Sequence, residues 1–492
     1  MFSVSLKTYW FYYDKRNPDK CQTGIKKDMT KSAAFHNLGC KVNAYETEAM
    51  MQQLHDAGYR IVPFEERADV YVINTCSVTN IADRKSRQML HRAKKRNPAA
   101  VVVAVGCYVQ TAAEKTHLDV DADILIGNDR KGRLLEILEA YLKEHEKPEN
   151  AVPDHDSERV ENIIPMSREC SFEETPIRRS ESHTRAFLKV QDGCNQFCTY
   201  CIIPYARGRI RSRDPQNVRR ETERLAESGI REIVLTGIHL SSYGKDLAEG
   251  DVFAEGNDLL SLIAQVSEVP QIDRIRLGSL EPGIVTESFA SALADNPKIC
   301  PHFHLSLQSG SDSVLKRMNR RYDTDDYRRR CRILRDVFGH PAITTDVIAG
   351  FPQETDQEFE ETVAFLKELA LAETHIFKYS RREGTVAARM SGQVREEIKA
   401  ERSDILIRLG KENRRRFISQ WVGKEAEVLF EETVVADKKE YCTGYTREYI
   451  RVCAAAGSSD NPLENRIFSG CIGEEEIDGM MNFRIASCRN IY

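Results

Sequence analysis

Three short runs of β-branched and small apolar residues, AAFHNLGC, VYVINTC and VVVAVGC, punctuate the start of the chain, and each ends in a cysteine: Cys40, Cys76 and Cys107. Between them the spacing turns helical, with Asn43 placed to cap a stretch through Ala57 and Thr79 to cap a basic stretch through Arg96. This alternation predicts a doubly wound parallel sheet over residues 32–143, completed by ADILIGN and a helix from Leu134 to Leu142. Ligands of such sheets bind beyond the carboxyl ends of the strands, where all three cysteines fall.

Residues 144–182 are polar, carry Pro148, Pro153, Pro165 and Pro176, and show no sustained period, so they read as a linker. A second alternation occupies residues 183–418. Strands are predicted at Phe187–Gln191, Glu232–Thr236, Asp273–Leu277, His302–Leu307, Ile343–Ile348 and His375–Tyr379, with helical stretches such as Asn217–Ser228 and Glu354–Leu369 between them. Six such units predict a partial (β/α)6 barrel, whose chemistry belongs in loops at the C-terminal ends of its strands. Past Trp421 the pattern shortens to alternating strands and turns, predicting a small all-β module over residues 419–492. The fold class is thus α/β multidomain with a C-terminal β module. Residues 1–31 show no clear period and read as a disordered extension, with Met29 as an alternative start.

With 41% hydrophobic and 30% charged residues the chain is not a disordered one, and no 18-residue apolar run exists to span a bilayer. The first thirty residues lack the apolar core of a secretory signal, so a reducing, cytoplasmic location is expected. There, clustered members of the 14 cysteines read as metal ligands or catalysts before disulfides. The net charge of −5 argues against indiscriminate nucleic-acid binding. Basic residues nevertheless crowd into Arg84–Arg96, Arg207–Arg213, Lys316–Arg335 and Arg408–Arg416, each either a phosphate-facing patch or a solvated helix face.

The segment QDGCNQFCTYCIIPYARG spaces cysteines as Cys194-x3-Cys198-x2-Cys201, directly after the first barrel strand. Three thiolates on a tight loop can hold three irons of a cubane and leave the fourth open for a ligand. Gly193 lets that loop turn sharply. Zinc is the competing assignment, but zinc ribbons repeat C-x2-C pairs to reach four ligands, and no second pair occurs.

These motifs, together with LGCKVNAYETE, VINTCSVTNIADRKSR, VGCYVQ, LTGIHLSSYGKD, RLGSLEP, HLSLQSGS, DVIAGFPQET and GYTREYIRV, resemble the methylthiotransferase family of the radical S-adenosylmethionine (SAM) superfamily from Ser32 to the end. Within it, LGCKVN and ADRKSR are most similar to the branch acting on N6-threonylcarbamoyladenosine beside the tRNA anticodon. The resemblance implies two four-iron four-sulfur clusters. One, on Cys194, Cys198 and Cys201, would bind and reductively cleave SAM; the other, auxiliary, on Cys40, Cys76 and Cys107, would present sulfur to adenine C2. It further implies SAM contacts from Tyr200, Thr236, Gly237, Glu281, Ser306, Gln308 and the stretch Ile348–Phe351 around Gly350. RNA contacts would come from Arg207, Arg209, Arg211 and Arg213, and from Tyr445, Arg447 and Arg451 of a TRAM module. Implied partners are the anticodon loop, an electron donor such as flavodoxin or ferredoxin, and a sulfur donor. Two alternatives stay open: methylthiolation of isopentenyladenosine or of a ribosomal-protein side chain, and a non-catalytic iron–sulfur RNA-binding scaffold.

Overall fold

The computed structural model describes residues 31–112, 120–145, 159–166, 171–178, 180, 184–247, 258–457 and 462–488; residues 1–30 and most of the linker lie outside the described residues. In the first unit the chain runs β1 (Ser32–Asn37), α1 (Lys41–Asp56), β2 (Arg60–Val62), β3 (Val70–Thr75), α2 (Asn80–Arg96), β4 (Val101–Gly106), α3 (Cys107–Ala112), β5 (Ile124–Ile126) and α4 (Leu134–Glu144). The sheet order is β2-β1-β3-β4-β5, all parallel, so the winding direction reverses between β1 and β3. Both faces are apolar, as a sheet covered by helices on each side requires. Two details depart from the sequence pattern. Asn43 lies inside α1, whose N-cap is Cys40, and the linker supplies a sixth parallel strand, β6 (Val160–Asn162), beside β5.

The second unit contains β7 (Arg185–Asp192), α5 (Ile203–Arg207), β8 (Arg211–Ser212), α6 (Pro215–Glu227), β9 (Glu232–Gly237), α7 (Leu259–Ser267), β10 (Arg274–Leu277), α8 (Glu287–Ala294), β11 (His302–His304), α9 (Asp312–Arg317), α10 (Thr324–Phe338), β12 (Ala342–Ala349), α11 (Asp356–Leu369), β13 (Glu373–Lys378), α12 (Val386–Arg389) and α13 (Glu396–Ser419). Strands β7, β9 and β10 pair in parallel, as do β11, β12 and β13, and bridges such as Leu280–Leu305 join the two sets into a partial barrel. Ala186, Leu188 and Val190 of β7 pack outward against the helices. The period of two therefore turns Arg185, Phe187, Lys189 and Gln191 into the lumen.

The third unit, β14 (Glu425–Ala436), β15 (Lys439–Thr446), β16 (Arg451–Ala455), β17 (Ile467–Ile477) and β18 (Met480–Cys488), closes as a barrel in the order β14-β15-β16-β18-β17. It docks on the N-terminal ends of the core strands. Arg274, the first residue of β10, donates to Tyr445 O at 3.0 Å and pairs with Glu427 at 3.0 Å, while Arg276 donates to Arg447 O at 3.0 Å. The β module thus sits at the end of the partial barrel opposite the three-cysteine loop, which leaves the C-terminal end of β7.

Candidate active site

Cys40, Cys76 and Cys107 follow the C-terminal ends of β1, β3 and β4, flanking the point where the winding reverses. Gly39, at φ +109°, lets the first turn approach the second: a side-chain carbon there would stand 2.9 Å from Cys76 Sγ. From one turn into α1 the Asn43 amide donates to Leu38 O at 2.7 Å and Thr75 O at 3.1 Å, tying the loop of Cys40 to that of Cys76. Burial, with the neighbouring thiols Cys107 and Cys40 adding to it, pushes Cys76 up to about 12, and burial also raises Cys40.

The second set occupies the loop between β7 and α5. Gly193 is at φ +69°, and a Cβ would fall 1.7 Å from Arg209 O, so the turn is open only to glycine. Cys194 N–H donates to Gly208 O at 3.1 Å and Cys201 N–H to Cys198 O at 3.0 Å, fixing the loop's shape. Burial pushes Cys194 up to about 11 and raises Cys201 too. Arg320 reaches Cys198 Sγ at 3.2 Å with one guanidinium nitrogen and both Glu281 carboxylate oxygens at 2.9 Å with another.

Donor chemistry separates a cluster from a single ion. Among the described residues the ligand trio tight enough for one ion, with all ligand atoms within 4.8 Å, is His304, Asp346 and His375 in the lumen; neither thiol set has that spacing. A tetrahedral zinc at about 2.3 Å from each sulfur needs thiolates closer together than that. Three thiols on wider spacing fit three corners of a four-iron cubane. Because several of these thiols are protonated without metal, cluster loading must displace protons.

One buried ionic network joins the two sets. Arg207 ends the helix that follows Cys201; its guanidinium bonds Asn43 Oδ1 at 2.6 Å, Glu46 at 2.9 Å and Asp192 at 3.1 Å. Glu46 also receives Lys131 at 2.5 Å and Lys189 at 2.7 Å. Burial opposes the Glu46 charge, but Arg207, Lys131 and Lys189 outweigh it and hold the carboxyl well below its usual range. From the other side, Asn128 Nδ2 donates to Ala206 O at 2.7 Å and lies 3.6 Å from Cys107 Sγ. A third tie is Arg382, beyond β13, which bonds Ser77 Oγ at 2.7 Å, Asn80 Oδ1 at 2.8 Å and Asp83 Oδ2 at 2.7 Å.

This network corrects the expectation of phosphate contacts along Arg207–Arg213. Arg207, Arg211 and Arg213 are buried and paired, with Glu46 and Asp192, with Asp129 at 2.9 Å, and with Glu221 at 2.6 Å respectively. Arg209 alone of the four stays at the surface, 4.5 Å from the centre of the Phe197 ring, which Tyr205 meets edge-on. The C-terminal expectation is corrected likewise. Tyr445 stacks on Tyr449 at 4.5 Å under Arg185, and Arg447 donates to Ile299 O at 2.6 Å, so both dock the β module. Arg451 is half-buried, opposite Tyr445 in the β15–β16 ladder.

The expected SAM contacts lie at strand ends around the second set. Tyr200 packs 6.4 Å from Phe351 in a small apolar cluster with Val314, Met318 and Tyr379. Thr236 and Gly237 end β9, and the position of Gly237 leaves no room for a Cβ beside Gln191 Oε1. Ser306 O accepts from Tyr322 Oη at 2.5 Å, while Gln308, at φ +72°, donates from its amide to Asp346 O at 2.9 Å. Gly350 is explained by packing: a Cβ would lie 2.4 Å from Lys399 Cγ. Sequence inspection missed Arg320, Glu46, Asn128 and Arg382. Arg320 sits inside a basic run, Glu46 and Asn128 lie inside LGCKVNAYETE and ADILIGN without the thiol of a cluster ligand to single them out, and Arg382 lies outside every motif.

Two separate sets of three thiols, held against each other by a partial parallel barrel and a doubly wound sheet, define an iron–sulfur enzyme of the radical SAM class. The Radical SAM superfamily model matches residues 188–366, and the model described as Uncharacterized protein family UPF0004 matches residues 32–127. The chain is 42% identical to the threonylcarbamoyladenosine tRNA methylthiotransferase MtaB of Bacillus subtilis, over 86% of this chain and 90% of that one. It is 39% identical to the Aquifex aeolicus protein of that name, over 80% and 92%. A tRNA-2-methylthio-N(6)-dimethylallyladenosine synthase from Pelotomaculum thermopropionicum is 34% identical, over 80% and 85%. Among solved structures, the radical SAM methyltransferase TsrM of Kitasatospora setae, with cobalamin and a [4Fe-4S] cluster bound, shares the fold at TM-score 0.51 and 16% identity, covering 73% of this chain and 77% of that one. The chain belongs to the radical SAM tRNA methylthiotransferase family.

Proposed function

We propose that this protein converts N6-threonylcarbamoyladenosine beside the tRNA anticodon into its 2-methylthio derivative. The observation that carries the proposal is the Arg207 network, which locks two ligand-deficient thiol sets to one another across a domain seam. The greater identity to threonylcarbamoyladenosine enzymes, 42% against 34% for the dimethylallyladenosine synthase, selects the substrate branch.

The clusters and SAM, when bound, supply radical generation, sulfur and the methyl group at an adenine carbon that acid–base chemistry cannot activate. The chain's own residues do the rest. Cys194, Cys198 and Cys201 would hold one cluster, with Arg320 placing a fixed positive charge beside Cys198, and Cys40, Cys76 and Cys107 would hold the other. Tyr200, Thr236, Gly237, Glu281, Ser306 and Gln308, at or just past strand ends, would surround SAM, with Gly350 allowing the loop after β12 to turn beside Lys399. Arg209, Phe197 and the 48%-exposed Tyr205 offer a cation and rings beside the cluster loop for an unstacked base of the anticodon loop. A low-potential electron donor such as flavodoxin or ferredoxin and a sulfur donor complete the cycle in the cytoplasm. No helix among the described residues is long and apolar enough to cross a membrane.

Mass spectrometry of tRNA nucleosides from cells with and without the gene tests the proposal. Loss of the 2-methylthio form with accumulation of unmodified N6-threonylcarbamoyladenosine is expected; an unchanged profile refutes it.

A further inference from the structure

α2 departs from the auxiliary thiol edge shortly after Cys76 and runs for 17 residues, roughly 25 Å at the helical rise. Its inward face is Ser86, Leu90 and Ala93, and its outward face exposes Arg84, Lys85, Arg92 and Lys95. The helix NIADRKSRQMLHRAKKR carries seven lysines and arginines against one aspartate, Asp83, which is already bonded to Arg382. Some cations of the other basic runs are neutralised within the fold: Arg317 by Glu358, Arg320 by Glu281, Arg328 by Glu368 and Arg414 by Glu373.

Local physics disfavours this arrangement. Arg84–Arg87 and Arg92–Lys95 are like charges one turn apart, although Asp83 in the first turn and Lys94, Lys95 and Arg96 in the last suit the helix dipole. A helix face that merely meets solvent is better served by interleaved glutamates, so the retained charge points to an anionic partner. The helix is also rigidly aimed. Arg382 clamps its first turn, and Asn80 N–H donates to Ser380 Oγ at 3.0 Å, where exposed Lys378 and Arg381 extend the positive surface onto the barrel unit. Two carboxylates from the neighbouring loop meet this helix, Asp121 at His91 and Asp123 at Lys94, each at 2.7 Å, and neither reaches Arg84, Lys85, Arg92 or Lys95.

We infer that the exposed face of α2 is the docking rail for the sugar–phosphate backbone of the tRNA anticodon stem. It would hold the duplex beside the site while the loop base enters between the two thiol sets. The inference rests on the reading that the substrate is tRNA. Its geometry favours RNA over an acidic protein, because the rail starts beside Cys76, whose set would face the base on the proposed reading, and not beside the Cys194 loop.

The test uses the full-length, anaerobically reconstituted protein and an anticodon stem-loop hairpin, with binding followed by fluorescence anisotropy over a salt series. Each lost phosphate contact lowers the slope of log affinity against log salt by about 0.9. The fourfold variant R84Q/K85Q/R92Q/K95Q is expected to lose roughly two to four units of slope and at least about tenfold in affinity at low salt. The paired variants R84Q/K85Q and R92Q/K95Q each lose part of it, so the outcome stands even if the fourfold variant folds poorly; iron content and thermal melting report folding. Wild-type binding with an unchanged slope in the variants overturns the assignment to α2, as does unaltered RNA binding with slowed reduction by an acidic donor protein. Wild-type protein that does not bind the hairpin overturns the tRNA reading itself.

Discussion

Arg207 donates to Asn43 Oδ1 at 2.6 Å, although 164 positions separate the two residues. Arg207 closes the helix behind Cys201, and Asn43 stands one turn behind Cys40, so this bond sets one thiol set against the other. Removing the guanidinium leaves Glu46 and Asp192 buried without their principal cation. Arg207→Ala is expected to cost about 3–5 kcal/mol, read by chemical denaturation. Arg207→Lys keeps charge but not the fork to Asn43. It should retain SAM cleavage without tRNA while tRNA methylthiolation falls, a split that a purely structural role would not produce.

Gly193 tests the first cluster without touching a ligand. Gly193→Ala places a methyl group 1.7 Å from Arg209 O and strains a backbone at φ +69°. Reconstituted protein is expected to lose the iron of the Cys194 set and keep that of the Cys40 set, about half the total, by iron analysis. Full iron content in a folded variant would show that the loop tolerates the change.

Arg320 puts a cation 3.2 Å from Cys198 Sγ. A positive charge and a hydrogen bond at a ligand sulfur favour the reduced cluster. Arg320→Gln should therefore shift the midpoint potential to more negative values in a redox titration followed by electron paramagnetic resonance. SAM cleavage should slow by about tenfold or more with a weak reductant. An unmoved potential with lowered activity would assign Arg320 to substrate positioning alone.

The seam beneath the β module should loosen in acid. Burial raises the Glu232 carboxyl, but Arg276 and Arg185 outweigh it and bring the group to about 2. Its folded value lies below its unfolded value, so its contribution, about 3 kcal/mol, is present above about pH 4.5 and lost as pH falls towards about 2. Glu232→Gln should flatten the stability profile over that window in denaturant titrations, and an identical profile would locate the acid sensitivity elsewhere.

Tyr205 separates stacking from charge at the site mouth. Tyr205→Ala should weaken binding of the stem-loop by about 1–3 kcal/mol with the salt slope unchanged. Arg211→Ala, by contrast, breaks the pair with Asp129 and should lower stability before it alters RNA affinity.

The elements were legible from the chain because their signals are local. The near-continuous apolar runs ahead of Cys40, Cys76 and Cys107 mark strands covered on both faces, and the Thr79 cap falls where the pattern placed it, accepting from Ala82 N–H. All six barrel strands overlap their expected positions, and the candidate thiols are marked, Cys194, Cys198 and Cys201 by spacing and Cys40, Cys76 and Cys107 by strand ends. The linker's short strand β6 carries no such mark, because three residues on a sheet edge have no period to show.

Side-chain destinies across domains were not legible. Arg207, Arg209, Arg211 and Arg213 form one alternating basic run, yet three of them are buried in ion pairs with Glu46, Asp192, Asp129 and Glu221, and one, Arg209, is half-buried on the Phe197 ring. The same holds for Tyr445 and Arg447, which anchor the β module to the floor of the barrel. Sequence by itself determined the strands, most of the helices and the Cys194-x3-Cys198-x2-Cys201 loop, since backbone periodicity and close ligand spacing act over a few residues; Cys40, Cys76 and Cys107 were marked only by following strands and by family resemblance. Only the tertiary structure decided which cations are consumed in seams and which, as on α2, remain for a partner, because a charge is neutralised by whatever carboxylate packing brings within about 4 Å, however distant in the chain.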